Sequence, residues 1–451
     1  MSQANDRKVL SRDQVRSALE RVLRLSRADR CSAKLTSSWT GNTRFAANDV
    51  STGGSVENTE LSVQSWRQNR HANVTVNDLS DGGLERAVRR SEALARIAPP
   101  DPEDMPLLGA QDYRPVPGYF ESTAGITAKD MAQAALSALD VARKSNDLEV
   151  SGFLTTGASA VGLMNTAGLF AYHPSTSVNY TVTARTRDGT GSGFAGADHN
   201  DWEQLDFSRI GELAAEKARA SRNPIALEPG RYTTILEPQA AADLNSLLIN
   251  GLDARAADEG RSPFTKKGGG NHIGEKVVDE RVTVVSDPQD PDLLAQPFDE
   301  EGFPLKRQEW IKRGVLNQLI HSRFWARKHG RQPTGEATTL KMLGGPTTLA
   351  AMIRSTERGV LATRFWYQRP VDPRTLLYTG LTRDGTFLIE GGRVSRSLKN
   401  FRFNESPLFA LKNLDSIGPV QRHATALRRV QAAMPAIKIH NFNFTSLSDA
   451  V

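Results

Sequence analysis

The order of helical and strand-like segments constrains the fold of this chain more than any other feature of its sequence. Up to about residue 222, segments with helical periodicity alternate with strand-like ones, whereas short strands and turns dominate the rest. Asn223-Pro224 and Glu228-Pro229-Gly230 lie between these halves and form the best candidate domain boundary. We therefore expect an α+β protein, with an N-terminal α/β domain built on a mixed sheet (residues 1–225) and a C-terminal β-rich domain (residues 226–451).

Four helices are expected in the N-terminal half, at residues 13–26, 83–97, 127–144 and 208–222. Thr127 and Asp130 form a plausible N-terminal cap for the third helix. The predicted buried positions on the second and third helices are Leu84, Val88, Leu94, Met131 and Leu139.

Strands are predicted in both halves. Residues 33–77 and 152–187 show strand-like alternation, and the latter range should form a pair of strands. In the C-terminal half, Gly391-Gly392 should form the turn of a hairpin at residues 386–396, and residues 437–444 should form a final strand. One face of the earlier strand pair should carry Val178, Tyr180 and Val182.

Composition limits the class of protein. The chain has 451 residues, 38% of them hydrophobic, which is enough to form two or three domains. Its formal charge of +6 is a mild excess that does not by itself indicate nucleic-acid binding. Cys31 is the only cysteine, so neither an internal disulfide nor a cysteine metal cluster can form. Residues 1–13 lack the apolar core of a secretory signal, and no long apolar run occurs, so we expect a cytoplasmic protein without a membrane span.

Several longer motifs occur in the order known from one protein family. They read NTRFAAN at residues 42–48, MNTAGLF at 164–170, PFDEEG at 297–302, GVL at 314–316, ARKHG at 326–330 and PTG at 333–335. Together they resemble the TldD/PmbA metalloprotease family, from about residue 40 to the C-terminus. The resemblance implies an N-terminal α/β domain, a C-terminal barrel-like domain and pairing of subunits as dimers.

The resemblance also implies a metal helix, which the sequence changes. Active members of the family bind a metal through a His-Glu-x-x-x-His helix and a distant C-terminal cysteine. The helix follows a strand that resembles residues 232–236, so residues 240–251 stand in its place here. This segment keeps an apolar helical face through Leu244, Leu247 and Leu248.

The metal ligands themselves are missing. By alignment, Ser246, Leu247 and Gly251 stand where the family has its histidine, glutamate and second histidine, and no histidine lies between His199 and His272. Residues 428–435, before the final strand, contain no cysteine. A catalytic zinc needs about three protein ligands and a nearby carboxylate as base. We therefore expect no catalytic, cofactor-binding or metal-binding residue in this chain, and we expect zinc in a partner subunit.

A glycine pattern at residues 191–196, GSGFAG, matches the spacing of a dinucleotide-binding loop. Such a loop needs a helix directly after it, so that the first amides of the helix contact the pyrophosphate. The run ADHND at residues 197–201 is turn-like instead. We therefore predict a flexible loop that borders a peptide groove.

The histidines offer a weaker metal hypothesis. His321 and His329 are eight residues apart, and no third ligand is evident near them. An amphipathic helix with His329 near its end is favoured. That helix should pack Leu319, Phe324 and Trp325. His173, which precedes Pro174, is expected to end a strand rather than bind a metal.

Two acidic segments are predicted to be structural. Asp299, Glu300 and Glu301 lie in a turn flanked by proline and glycine, where adjacent side chains usually point apart, so a solvated turn is expected. The aspartates of residues 287–292 lack the spacing of a calcium loop and are expected to form an ordinary loop.

Three further segments have similarly simple interpretations. Residues 266–271 are a basic flexible loop without the ending that a phosphate-binding loop requires. Residues 364–369 interleave aromatic and cationic side chains, and a strand with one buried aromatic face is favoured over stacking on bases. Cys31 is predicted to be a buried structural thiol.

The resemblance and the missing ligands together predict a non-catalytic subunit of the TldE/PmbA type. Its partner would be a TldD-like active subunit or a second copy of itself, and the pair would bind unfolded or small peptides, which suit strand addition. Two alternatives stay open. One is an autonomous metallopeptidase that uses His321, His329 or His272 with a carboxylate. The other is a regulator that binds nucleic acid or gyrase, which the small charge excess supports only weakly.

Overall fold

The computed structural model describes residues 9–424 and 431–448. Six strands of the first half form one sheet in the order β3-β2-β1-β4-β5-β6. They are β1 (Arg30–Ala46), β2 (Asp49–Arg67), β3 (Arg70–Val76), β4 (Leu148–Asn165), β5 (Phe170–Thr186) and β6 (Ser192–His199).

The α+β class is confirmed, with one correction. Every pairing in this first sheet is antiparallel, so it is not a mixed sheet, whereas the C-terminal sheet contains both parallel and antiparallel pairs. Four of the five pairs are joined by the short connections at residues 47–48, 68–69, 166–169 and 187–191, and strands joined in this way form hairpins and must run antiparallel.

Helices cover one face of this sheet. They are α1 (Arg12–Leu25), α2 (Asp81–Ile97), α3 (Glu121–Ala124), α4 (Ala128–Ser145) and α5 (Phe207–Ala220). The four long helices are confirmed, with ends within two residues of those predicted. The cap of α4 is also confirmed, because the Thr127 hydroxyl accepts from the Asp130 amide while the Asp130 carboxylate accepts from the Thr127 amide.

Two hydrophobic cores lie between these helices and the sheet, one under α1 and α2 and one under α4 and α5. The predicted core positions are buried, with the exception of Leu94, which is 38% exposed. The helical repeat explains the error, because α2 turns Leu84, Val88, Ser91 and Ala95 toward the sheet, and Leu94 lies off that row.

The opposite face of the first sheet contacts the second half of the chain. Near one end, Leu163 and Ala171 pack against Phe298. Near the other end, Ser192 and Phe194 of β6 contact residues of the second sheet. The two halves therefore meet through this face.

The second half forms an eleven-stranded sheet. Its strands are β7 (Gly230–Leu236), β8 (Val284–Ser286), β9 (Gln308–Lys312), β10 (Val315–Leu316), β11 (Thr339–Met342), β12 (Arg358–Asp372), β13 (Leu377–Glu390), β14 (Arg393–Ser397), β15 (Phe401–Glu405), β16 (Leu414–Arg422) and β17 (Gln431–Leu447). Because β7 pairs with both β12 and β17, the strands β17, β15, β13, β12 and β7 close a ring. This ring confirms the barrel-like domain.

Five short helices accompany this sheet: α6 (Pro238–Asn245), α7 (Ala254–Asp258), α8 (Arg323–Lys328), α9 (Leu349–Arg354) and α10 (Pro407–Lys412). The predicted hairpin is confirmed, since Ile389 of β13 faces Val394 of β14 across the Gly391-Gly392 turn. The predicted final strand is β17. The boundary at residues 225 and 226 stays a prediction. Among the described residues, no helix has the length and apolar character that a membrane crossing requires.

Candidate functional site

The segment that stands in place of the metal helix follows β7. Pro238 occupies the first position of α6. A backbone N–H at this position would have no acceptor within the helix, so the missing hydrogen of proline costs no hydrogen bond. After α6 the backbone tightens into a 3-10 helix, Ser246–Gly251. The predicted apolar face is confirmed, because Leu244, Leu247 and Leu248 belong to the large C-terminal core.

The three residues at the family's ligand positions are packed. Ser246 is 4% exposed, and its hydroxyl donates a hydrogen bond to the Ala242 carbonyl oxygen at 2.6 Å. Leu247 is 8% exposed. A Cβ atom at Gly251 would lie only 3.1 Å from Cγ of Pro263. The Ser246 hydroxyl already donates a hydrogen bond, Leu247 has an alkyl chain and Gly251 has only a hydrogen atom. These groups supply neither metal ligands nor a general base.

The wider donor set does not fit a catalytic zinc either. Within residues 9–424 and 431–448, no group of three or more His, Cys, Asp or Glu side chains is placed to hold a metal ion. The family's C-terminal cysteine is absent from residues 428–435 of this sequence. Of these, residues 428–430 lie outside the described residues, and residues 431–435 begin β17.

Each histidine of the alternative metal hypothesis has a separate partner. His272 Nδ1 lies 2.6 Å from a carboxylate oxygen of Glu275 at the surface. His321 Nδ1 lies 2.9 Å from a backbone carbonyl oxygen, and burial lowers the pKa of His321. His329 packs its ring 4.5 Å from that of Trp325. Trp325 is buried in α8 as predicted, but α8 begins after His321 and is shorter than expected.

His173 lies inside β5, so the prediction that it ends a strand is wrong. The strand continues through Pro174 because β6 pairs with β5 only from Val178 onward, which leaves an open edge at the proline. Burial lowers the pKa of His173 to about 4. Its ring packs against Gly118, where a Cβ atom would lie 3.4 Å from the ring.

Residues 192–196 lie in β6, directly after Gly191, so the prediction of a flexible loop is wrong. A Cβ atom at Gly193 would lie 2.2 Å from the carbonyl oxygen of Ala214 in α5. The glycine therefore lets the helix pack directly on the strand. Gly191 approaches the same helix, whereas a Cβ atom at Gly196 would instead meet Ala424 and the backbone of Tyr180. Ser192 and Phe194 alternate with Gly193 and face the second half of the chain.

The acidic turn at residues 299–301 is only partly solvated. Glu300 and Glu301 are exposed and form ion pairs with Lys34 and Arg323. Asp299 turns inward and accepts hydrogen bonds at 2.9 Å from two backbone amides of the turn. Burial raises the pKa of Asp299 to about 6. The three carboxylates do point apart, as predicted, but Asp299 is partly buried.

The other acidic loop has an internal counter-charge. Lys341 Nζ lies 2.9 and 3.0 Å from the two carboxylate oxygens of Asp290, and 2.7 Å from an oxygen of Asp292. Residues 287–292 thus form an ordinary loop, as predicted, and the lysine occupies the space among their carboxylates.

Cys31 and the aromatic strand agree with their predictions, and residues 266–271 form the predicted loop, whose flexibility stays a prediction. Cys31 is buried, and burial raises its pKa to about 11. Residues 266–271 form a turn closed by the Lys266 amide donating to the Gly270 carbonyl. Residues 364–369 lie in β12 and bury Phe365.

Sequence reasoning missed an ion cluster where the two halves meet. Arg364 Nη1 donates to Asp384 Oδ2 at 3.2 Å, Ser192 Oγ donates to Asp384 Oδ1 at 2.5 Å, and Arg383 Nε lies 3.8 Å from Oδ2. β13 bulges against β12 here, with φ of +53° at Asp384 and +126° at Gly385. The available signal was an Asp-Gly pair inside a strand-like run, which indicates a bulge.

Known proteins with similar sequences cover both halves of the chain. The family model for the PmbA/TldA metallopeptidase central domain matches residues 101–222, and that for the C-terminal domain matches residues 229–446. A metalloprotease of Methanothermobacter thermautotrophicus is 24% identical over 299 residues, which are 60% of this chain and 63% of that protein. Metalloprotease PmbA of Escherichia coli O157:H7 is 24% identical over 340 residues, 70% of this chain and 73% of that protein.

The matched region therefore spans a little under two thirds of the first relative. A solved structure, TldE from Thermococcus kodakarensis, has a TM-score of 0.85 at 18% identity and covers 94% of this chain and 99% of that one. At this identity the likeness shows the fold alone. Because the two family models together match most of the sequence, the chain belongs to the PmbA/TldD metallopeptidase family.

Proposed function

We propose that this chain is a non-catalytic subunit of a TldD/TldE-type metalloprotease complex that binds unfolded or small peptides. The supporting observation is the packing at the family's ligand positions. The Ser246 hydroxyl donates a hydrogen bond to its own helix, and Leu247 lies in the core. Pro263 lies close to the position that a side chain at residue 251 would take. No water can be activated there without imidazole and carboxylate groups.

The partner that completes the site would be a TldD-like subunit carrying the His-Glu-x-x-x-His helix and the cysteine. A homodimer of this chain would repeat the same deficit in both subunits. A heterodimer is therefore the assembly that restores a catalytic zinc, which the partner would hold. This chain would contribute stability and part of the wall of the peptide cleft.

An open strand edge supports the peptide-binding part of the proposal. Within the described structure, β3 is the end strand of its sheet and pairs with β2 alone. In an antiparallel pair, residues that bond to the neighbouring strand alternate with residues whose backbone groups face away from it. Counting from the turn at residues 68–69, Asn73 and Thr75 are of the second kind, so their N–H and C=O groups face the open edge. A groove lined by Val74 and Leu94 runs beside this edge. An extended peptide can pair with such an edge by its main chain.

A reconstitution assay tests the proposed function. The chain alone, a TldD-like subunit alone and their mixture would be incubated with a fluorescently labelled unfolded peptide, with and without a chelator. We expect cleavage by the mixture, inhibition by the chelator and no cleavage by this chain alone. A partner variant with the motif glutamate replaced by glutamine is the control and should leave the mixture inactive.

Two results would contradict the proposal. One is chelator-sensitive cleavage by this chain alone. The other is a partner whose activity and stability do not change when this chain is added.

A further inference from the structure

A cavity of about 390 Å³ lies where the two halves of the chain meet. Glu149 and Arg185, from β4 and β5, line one side, and Arg364, Trp366 and Arg383, from β12 and β13, line the other. The volume falls within the range of small-ligand sites. The cavity therefore has room for the end of a peptide.

Arg364 has unused hydrogen-bond donors in this cavity. Its side chain is 11% exposed, and among the described residues it donates one hydrogen bond, to Asp384. A guanidinium carries five N–H donors, so most of those of Arg364 have no acceptor in the described part of the chain. The group lies 3.9 Å from the ring centroid of Phe194 and 4.9 Å from that of Trp366. These rings fix the plane of the guanidinium without accepting its in-plane hydrogen bonds.

One carboxylate serves several donors here. Asp384 Oδ1 accepts from Ser192, and Asp384 Oδ2 is shared by Arg364 and Arg383. Three arginines and two carboxylates line the cavity, and the Asp243 carboxylate, which does not line it, also acts on the charge of Arg364. The full set of charged lining residues is Arg185, Arg364, Arg383, Glu149 and Asp384.

The backbone that holds Asp384 is strained. A φ of +53° at an aspartate is uncommon, and the following Gly385 has a φ of +126°. A Cβ atom at Gly385 would also lie 2.6 Å from Oγ1 of Thr363. Bulges and strained residues of this kind concentrate at functional sites, where they aim a side chain. Here the bulge keeps Asp384 between the two arginines.

We propose that this cavity binds the carboxylate of a peptide, with Arg364 and Arg383 as its binding residues. The planar guanidinium matches a carboxylate and can bond both of its oxygens. Trp366 offers an apolar surface for the adjoining side chain. A terminal carboxylate and an acidic side chain share this chemistry. The choice of a peptide as the source rests on the proposed function.

Titration calorimetry with the full isolated chain tests the inference. The probes are N-acetyl-trialanine as the free acid, the same peptide as its C-terminal amide, and the amide with its central alanine replaced by glutamate. The free acid should bind at least about tenfold more tightly than the plain amide, which corresponds to about 1.4 kcal/mol. If the glutamate peptide binds as tightly as the free acid, the carboxylate of an acidic side chain is an equally good ligand. Equal affinity for all three peptides would overturn the proposal.

Two variants assign the effect to the cavity. Arg383→Gln should reduce the preference for the free acid to less than about threefold, because one charged donor is lost. The Arg383 side chain is 26% exposed, so the fold should tolerate this change. Arg369→Gln is the matched control, since Arg369 lies over Tyr367 at 4.3 Å on the exposed part of β12, outside the cavity. It should keep the full preference.

If Arg383→Gln keeps the full preference for the free acid over the amide, the cavity does not bind the carboxylate. The same conclusion follows if Arg369→Gln reduces this preference as much as Arg383→Gln does. These outcomes are independent of the proposed function. A chain that fails the binding test can still depend on a zinc-bearing partner. A chain that binds the free acid but cleaves peptides by itself contradicts the proposed function alone.

Discussion

Replacing Leu247 with glutamate restores one residue of the family's metal motif, and we expect it to destabilise this chain severely. Leu247 is 8% exposed in the C-terminal core. Losing a buried leucine side chain removes about 2–3 kcal/mol of stabilisation. A buried glutamate without a partner must take up a proton at pH 7, which costs about 3–4 kcal/mol because its ordinary pKa is about 4.3. The sum of about 5–7 kcal/mol approaches the whole stability of a typical domain.

Urea denaturation at pH 7 and pH 5 measures this loss. The folded-state pKa of the new carboxyl group lies above its unfolded-state value, so the loss is largest at high pH and shrinks as the pH falls. We expect about 2–3 kcal/mol to be recovered between pH 7 and pH 5. Leu247→Met, which nearly conserves volume, is the control and should cost less than about 1.5 kcal/mol.

A small loss would refute this reasoning. If Leu247→Glu costs less than about 1 kcal/mol at pH 7, the position already accommodates a carboxylate, against the packing described above. Stabilisation of the variant by added zinc would be equally damaging, because a ligand stabilises the folded state only by binding to it.

Three further predictions concern packing and charge. Gly193→Ala should lower the free energy of unfolding by about 3 kcal/mol or more in the same urea assay, because the new Cβ atom would meet backbone atoms of α5. The control, Gly54→Ala in the same sheet, should change this free energy by less than about 1 kcal/mol. Lys341→Met should cost about 3 kcal/mol in that assay, since it leaves the Asp290 carboxylate buried without a cation. Burial raises the pKa of Asp299 to about 6, above its unfolded value, so the contribution of Asp299 to stability should fall as the pH rises from about 4 to 6. Asp299→Asn should abolish that fall and add on the order of 1 kcal/mol at pH 7, measured by denaturation across this pH range.

Local patterns in the sequence were sufficient for the elements whose causes are local. The capping pair Thr127 and Asp130 begins α4 as predicted, and the Gly391-Gly392 turn joins β13 to β14. In both cases a few neighbouring residues determine the backbone conformation. The apolar face at residues 244–248 could be predicted for the same reason, because its period is set by the helix itself.

Features that depend on distant residues could not be predicted in this way. The ring closes because β17 pairs with β7, for example Ile437 with Leu236, and no local pattern specifies that pairing. Phe298, directly before Asp299, packs against Tyr113 and Leu163 from the other half of the chain. Gly191 and Gly193 suit either a dinucleotide loop or close packing of α5 on β6, and only the position of the helix distinguishes them. The Arg364–Asp384 cluster needs Ser192 from the other sheet.

The zinc content of the isolated chain tests the central claim most directly. The chain would be incubated with excess zinc, desalted and measured by elemental analysis, beside a family member that carries His-Glu-x-x-x-His. We predict far less than one zinc per chain here and about one in the comparison protein, because the residues at positions 246, 247 and 251 offer no imidazole or carboxylate ligand. Stoichiometric zinc retained by the isolated chain would contradict the account.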